Sequence, residues 1–243
     1  MKVHPIARVA SALAFAALLG GCATTQGPGA TQARSSPDDP FEPFNRAMYQ
    51  VHEVVDGHLV KPIAQGYVAV IPSPVRQVVG NILGNIDDFF SGINGVLQNK
   101  PEEAGTSFGR VIINTFIGIG GMIDVASSGN IEKYSLDFGQ TLGVWGLPAG
   151  PYLFVPVFGP TDVRDGLGTI ARGYADPIGY ISDVPWRNSL YGLAFVERRA
   201  AVLDTESLVS QAAIDPYTFI RRAYLQRREF MVTGKRPVDK EDQ

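Results

Sequence analysis

Apolar side chains recur between positions 75 and 97 at steps of three and one: Val75, Val78, Val79, Ile82, Leu83, Ile86, Phe89, Phe90, Ile93, Val96 and Leu97. That spacing gathers them onto one stripe of an amphipathic helix. The opposite face carries Gly80, Asn81, Gly84, Asn85, Asp87, Asp88, Ser91, Gly92 and Gly95, which are small or polar. Two accounts fit this pattern. Either the stripe packs on a core and the glycines admit close neighbours, or the stripe meets lipid and the small polar face lines a water-filled passage. On the second account Asn81, Asn85 and Asp88 are candidate lining residues. Asp87 and Asp88 do not make a catalytic acid pair, because adjacent helix positions diverge by about 100°. They read as a solvated face.

The rest of the chain reads as helices interrupted by proline and glycine. The run Asp39-Pro40-Phe41-Glu42-Pro43 suits a helix start, and Ala47, Met48, Val51, Val54 and Val55 carry the helix to about Lys61. Pro62, Pro72 and Pro74 punctuate the next stretch, leaving residues 63–71 as a short apolar helix or turn. Pro101-Glu102-Glu103 opens another helix that leads into the glycines Gly118, Gly120 and Gly121.

The longest uncharged stretch, residues 138–161, contains Pro148, Pro151, Pro156 and Pro160, so no regular transmembrane helix is expected there. Residues 139–150 read instead as a flexible loop or hairpin, and residues 152–158 as a short extended segment. Within this stretch Gly143, Gly146, Gly150, Pro151 and Tyr152 are candidate channel or gating residues. Helices are expected over 162–174 and 186–203, the second with Tyr191, Ala194, Phe195 and Val202 on its apolar side and Asp204-Thr205 capping a short continuation. A last helix begins at Asp215-Pro216 and holds Phe219, Ile220, Ala223 and Tyr224 against the body. Its arginines, Arg221, Arg222, Arg227 and Arg228, read as a solvated or partner-facing surface.

The amino end changes which solvent this body is expected to meet. Lys2 and Arg8 precede an uncharged apolar run from Val9 to Leu19, which fits a secretory signal peptide and is too short to span a bilayer. The run ends in Leu19-Gly20-Gly21-Cys22, which reads as a lipobox whose Cys22, the chain's single cysteine, becomes a lipidated N-terminus. With no second cysteine there is no internal disulfide to staple an exported domain. Residues 23–39 lack large apolar side chains and read as a flexible leash, with a reach of roughly 20 to 25 Å. Removing residues 1–21 leaves 222 residues, enough for one sizeable domain, and moves the formal charge from −3 to −5. That charge gives no reason to expect a nucleic-acid partner.

Catalytic patterns fail on their chemistry. Gly105-Thr106-Ser107-Phe108-Gly109 matches a nucleophile elbow, yet no histidine follows His58 and the preceding residues read as helix rather than strand. Gly166-Leu167-Gly168-Thr169-Ile170-Ala171 fits a loose dinucleotide pattern without any βαβ rhythm around it. His52 and His58 lie six apart, off the spacing of three or four that a helical metal pair needs. No cofactor is expected.

Three separated motifs, in order, carry a family resemblance: Asp39-Pro40-Phe41-Glu42-Pro43-Phe44-Asn45-Arg46; Thr141-Leu142-Gly143 through Gly150-Pro151-Tyr152; and Asp215-Pro216-Tyr217 with Arg222-Ala223-Tyr224. Together they closely resemble the MlaA (VacJ) family of outer-membrane lipoproteins, from Asp39 to Phe230. The resemblance implies an all-α, ring-like body embedded in the inner leaflet of the outer membrane, with a short Gly/Pro-rich hairpin or loop and an amphipathic channel. It also implies non-enzymatic removal of mislocalised phospholipids from the outer leaflet, association with a trimeric porin, and transfer to a periplasmic carrier. The layout expected is a cleaved signal peptide over 1–21, a lipidated linker over 22–39, a helical domain over 40–231 and a disordered tail over 232–243. Phe44, Asn45 and Arg46 form the first-helix motif. A lipoprotein that braces a porin or envelope complex without moving lipid is the alternative.

Overall fold

Aspartate and proline set where the helices begin. The computed structural model describes residues 39–205 and 214–235, so the leader, Cys22, nearly all of the linker and most of the tail fall outside the described residues. Helix α1 spans Glu42–Val55 and passes through a π-helical turn, Asp56–Val60, into α2, Lys61–Val70. Contrary to the break that sequence suggests at Pro62, the helical path continues. The Lys61 N–H bonds back five residues to the Asp56 carbonyl, and this widened turn sits immediately before the proline ring, which has no N–H of its own to donate.

Helix α3, Ser73–Leu97, and helix α4, Pro101–Phe116, form the closest-packed pair. A Cβ added to Gly92 would lie 2.7 Å from the Phe108 ring, and one added to Gly95 would lie 2.9 Å from the Ala104 backbone. Glycine is what lets these helices touch. The polarity of the contact is the reverse of a water-soluble core. Asp88 and Ser91 of α3 meet Arg110 and Ser107 of α4, Asn94 and Asn114 are buried in the same layer, and Val75, Phe89, Val96, Ile112 and Phe116 face outward. Asp88, expected on a solvated face, is 1% exposed. Of the two accounts of the apolar stripe, the core-packing one holds at Phe90 and fails at Val75, Phe89, Val96 and Leu97, which are exposed, with the rest half-buried.

Helix α5, Val125–Ser128, is capped by Asp124, whose side chain accepts from the Ser127 N–H. Helix α6 spans Phe138–Val144, so the first half of the expected loop over 139–150 is helical. The Asp137 carboxylate caps it by accepting from the Gln140 N–H at 2.8 Å. Its glycines serve contact rather than flexibility, since a Cβ on Gly139 would drive into the opposing helix α7, Val163–Ala175, and one on Gly168 of α7 would drive back into Gly139. The hairpin lies further on, with β1, Tyr152–Val155, antiparallel to β2, Gly159–Asp162, and Tyr152 paired to Asp162.

A 3₁₀ turn, Pro177–Tyr180, leads to α8, Val184–Ala200, and α9 spans Pro216–Thr233, each of the two helices opening on an aspartate cap. The continuation expected after Asp204-Thr205 falls largely on residues outside the described range.

Helix α9 packs with Ile220 and Tyr224 of the expected face but is turned so that Tyr217 and Leu225 replace Phe219 and Ala223. Phe219 and Ala223 are exposed, whereas Tyr217 is buried with Tyr152 and Phe154, and Met48, Tyr49, Ile220, Tyr224 and Leu225 pack around them. Two of its four arginines are also turned inward. Arg221 donates to Asp39 and Glu42 at 3.1 Å each, and Arg228 bridges Asp137 at 2.5 Å and Asp165 at 2.6 Å. Long side chains that read as surface are drawn inward because carboxylates in a buried setting need cations beside them.

Candidate functional site

The contacts of α8 with α2 and α3, and of α7 with the 3₁₀ turn, leave a space between them. It is a cavity of about 660 Å³ lined by Leu83 and Ile86 of α3, Val157 and Phe158 of the hairpin turn, Ile178, and the α8 side of the chain from Tyr191 to Val202. On α8 and just past it, Tyr191, Ala194, Phe195, Arg198, Arg199 and Val202 follow helical spacing, so one face supplies both apolar wall and cations. Arg172 and Asp176 complete the lining at the end of α7. Apolar walls with a few convergent polar groups are the general make-up of a ligand site, and the volume falls in the usual range of roughly 300 to 1,000 Å³.

Each guanidinium is held by a carboxylate. Arg199 makes a two-pronged contact with Asp56 at 2.7 and 2.6 Å, which anchors α8 on the π-helical turn. Hydrogen bonding from Arg199 holds the Asp56 carboxyl below the usual carboxylate range, against the opposing effect of burial. Arg172 bonds Asp176 at 2.9 Å, lies 3.6 Å from the centroid of the Phe90 ring and reaches Asp87 at 3.3 Å. Arg198 reaches the same Asp87 oxygen at 3.2 Å. One carboxylate therefore serves two arginines at the cavity wall.

None of the residues singled out from the sequence as channel or loop candidates lines this cavity. Asn81 donates to the Met122 carbonyl at 2.8 Å and Asn85 to the Thr115 hydroxyl at 3.1 Å. Asp88 accepts from Arg110 Nε at 2.9 Å, and Arg110 also donates to the Ile131 carbonyl, Asp124 and Ser127. Ser107 of the elbow-like motif sits buried within α4, 3.3 Å from the Ser91 hydroxyl. Gly143 packs in α6 against Arg164 and Val232, and Gly146 and Gly150 take left-handed φ angles of 94° and 74° in the turn before β1. Pro151 comes directly after that turn, and Tyr152 is 1% exposed in the aromatic cluster.

The first-helix motif forms a junction instead. Asn45 donates to Asp39 at 2.8 Å and to the Tyr152 carbonyl at 3.0 Å, and accepts from the Phe154 N–H at 2.9 Å, which fastens α1 to β1. Arg46 joins Glu42 at 2.8 Å and Asp215, the cap of α9, at 2.8 Å, while Phe44 points outward. The Tyr217 hydroxyl donates to Asp39. The cavity arginines carried a sequence signal, since Arg198 and Arg199 come after Tyr191 and Phe195 at helical spacing. What sequence does not show is that Arg172 and Asp87 arrive from other helices.

These features define a class: a predominantly helical body that buries many polar groups, exposes apolar side chains and carries an amphipathic cavity open to its surroundings, as suits a protein working at a lipid surface. The chain belongs to the MlaA lipoprotein family, whose family model matches residues 37–231. It is 36% identical over 231 residues to the intermembrane phospholipid transport system lipoprotein MlaA of Escherichia coli (strain K12), a match covering 92% of this chain and 88% of that protein. It is 33% identical over 240 residues to the protein of the same description in Haemophilus influenzae, covering 96% and 94%. A solved chain from work on the structural basis for maintenance of bacterial outer membrane lipid asymmetry superposes with a TM-score of 0.69 at 31% identity, covering 80% of this chain and 99% of that one.

Proposed function

We propose that this protein removes mislocalised phospholipids from the outer leaflet of the outer membrane and passes them to a periplasmic carrier, maintaining lipid asymmetry without catalysing a reaction. The observation that carries the reading is the reversed polarity of α3 and α4 beside an amphipathic cavity. A lipid crossing a polar zone needs a solvated head group and shielded tails, and this arrangement offers both. No helix among the described residues is long and apolar enough to cross a membrane, which suits a body seated in one leaflet, with the inner leaflet the expected place. Family membership supports the phospholipid cargo.

In this proposal residues 1–21 are cleaved, an acylated Cys22 and the linker over 22–39 tether the helical domain over 40–231, and a trimeric porin is the membrane partner. Because α6 occupies part of the expected loop, any gating falls to residues 145–151 and the hairpin turn rather than to all of 139–151. Asn81, Asn85 and Asp88 serve the channel by holding its helices rather than by lining it.

The test is to delete the gene and measure phospholipid on intact cells with a membrane-impermeant amine label. Surface phospholipid should rise and return to normal on complementation. Unchanged labelling, with a purified protein free of lipid, favours the bracing alternative.

A further inference from the structure

Two arginines of the cavity wall share a carboxylate, Asp87, that lies just outside the lining. Arg172 and Arg198 come from different helices, α7 and α8, and converge on one oxygen of Asp87 at 3.3 and 3.2 Å. The Asp87 side chain is 47% exposed and that of Arg198 is 61% exposed, whereas Arg172 is 22% exposed against Phe90, so the contact opens to solvent on its Asp87 and Arg198 side. A solvated contact of this kind contributes little to stability, roughly 0 to 1 kcal/mol. Two guanidiniums sharing one carboxylate have more donors than it can accept, and their planar forks match the oxygens of a phosphate. Beside them, Leu83, Ile86, Phe195 and Val202 supply apolar wall on the same cavity.

We propose that Arg172 and Arg198 form the head-group site of the cavity, taking the phosphate diester of a phospholipid, and that Asp87 is the internal counter-ion the phosphate displaces. The proposal rests on the phospholipid-transfer reading above and deepens it. Exchange of one anion for another keeps the arginines paired throughout, so the lipid enters without stranding a charge. It also makes Asp87 a selectivity element. A zwitterionic head group brings an ammonium that the released Asp87 carboxylate accepts, whereas a head group with net negative charge meets Asp87 as a like charge. The site therefore favours phosphatidylethanolamine over phosphatidylglycerol, and Asp87 is the carboxylate that exchanges, while Asp176 stays on Arg172 at 2.9 Å.

The test uses full-length protein extracted in detergent, exchanged against mixed micelles holding equal phosphatidylethanolamine and phosphatidylglycerol, with bound lipid identified by native mass spectrometry. Asp87→Asn should raise the ratio of bound phosphatidylglycerol to phosphatidylethanolamine by roughly two- to fivefold, the value of one exposed charge contact. Arg198→Gln should lower total bound lipid by a similar factor. This second variant avoids the packing of Arg172 on Phe90 and so leaves the fold intact, as a thermal melt of each variant checks. If wild-type protein carries phospholipid but both variants carry the same amount and the same head groups, this inference is overturned while the transfer reading stands. If correctly folded wild-type protein binds neither lipid, both fall.

Discussion

The α3–α4 layer and the junction of α1, the hairpin and α9 solve opposite problems. At the junction, Tyr152, Phe154 and Tyr217 form a buried aromatic cluster, with Tyr49 edge-on to Phe154 at 5.3 Å and to Tyr217 at 5.9 Å. Polar groups there, from Asp39 and Asn45 to Arg221, seal and align that cluster. In the α3–α4 layer most of the buried side chains are polar, Phe90 and Ala104 excepted, while Val75, Phe89, Val96, Ile112 and Phe116 face out. A protein wetted on all sides gains nothing from that inversion, because apolar area exposed to water is lost stabilisation. Against lipid the balance changes, since apolar contact with tails replaces burial and a polar group must find its partner inside. On the proposed reading, the two regions are built for different surroundings within one chain.

Removing one anchor from each region gives the largest effects. Arg110 makes five hydrogen bonds from a fully buried position, and Arg110→Met leaves Asp88 buried without its main cation. The expected loss is about 3 to 5 kcal/mol of folding stability. At the junction, Phe154→Ala empties a buried ring position and costs about 3 to 5 kcal/mol. Denaturant unfolding in detergent reads both. A silent Arg110→Met would show that the polar layer is not what holds α3 to α4, and the contrast between the regions would collapse.

A smaller effect sharpens the contrast by changing only the surroundings. Phe116 is 81% exposed at the end of α4. If that side chain meets lipid, Phe116→Asp weakens membrane partitioning by about 3 kcal/mol, near a hundredfold, while stability in detergent changes little. Vesicle flotation of the purified protein measures it. The outcome that breaks the comparison is unchanged flotation, which would leave the outward apolar face of α4 without a lipid to meet.

The same division governs how much of the molecule is legible in the sequence. Helix starts are readable where a proline follows or opens the first turn, as at Pro101 and at Asp215-Pro216, because caps are local chemistry, whereas the lone aspartate caps Asp124 and Asp137 pass unread. The all-helical class and the family are readable too. The sidedness of α3 is not, since periodicity reports that a stripe exists and not which solvent it faces. Helix α6 escapes for a related reason. Its glycines at 139 and 143 look like freedom and are close contacts with α7 and the end of α9. Arg221 and Arg228 read as surface because their carboxylate partners lie at least 63 residues away in the chain. Sequence spacing carries helix faces, whereas the head-group site depends on three helices meeting.

The smallest effect concerns acid, and it tests whether the polar layer works as a network. Burial alone would raise the pKa of Asp124, but hydrogen bonds from the Ser127 hydroxyl and N–H and from Asn114, with the charge of Arg110, hold it at about 2 against an ordinary 3.8. A carboxylate whose folded pKa is depressed contributes stability that is fully present above its unfolded pKa and is lost as pH falls through the folded one. The window is therefore about pH 4 to 2. The shift corresponds to about 2 kcal/mol, which partial exposure of the side chain trims to about 1 to 2 kcal/mol. Unfolding of wild-type protein and Asp124→Asn, compared across about pH 6 to 2, isolates this contribution. Wild-type protein should be the more stable at the upper end of that range, and the gap should close as pH falls through the window. A gap that persists at the acid end would mean that Asp124 stabilises the layer by hydrogen-bond geometry and not by its charge. The inward-facing Arg110 would then be held chiefly by Asp88.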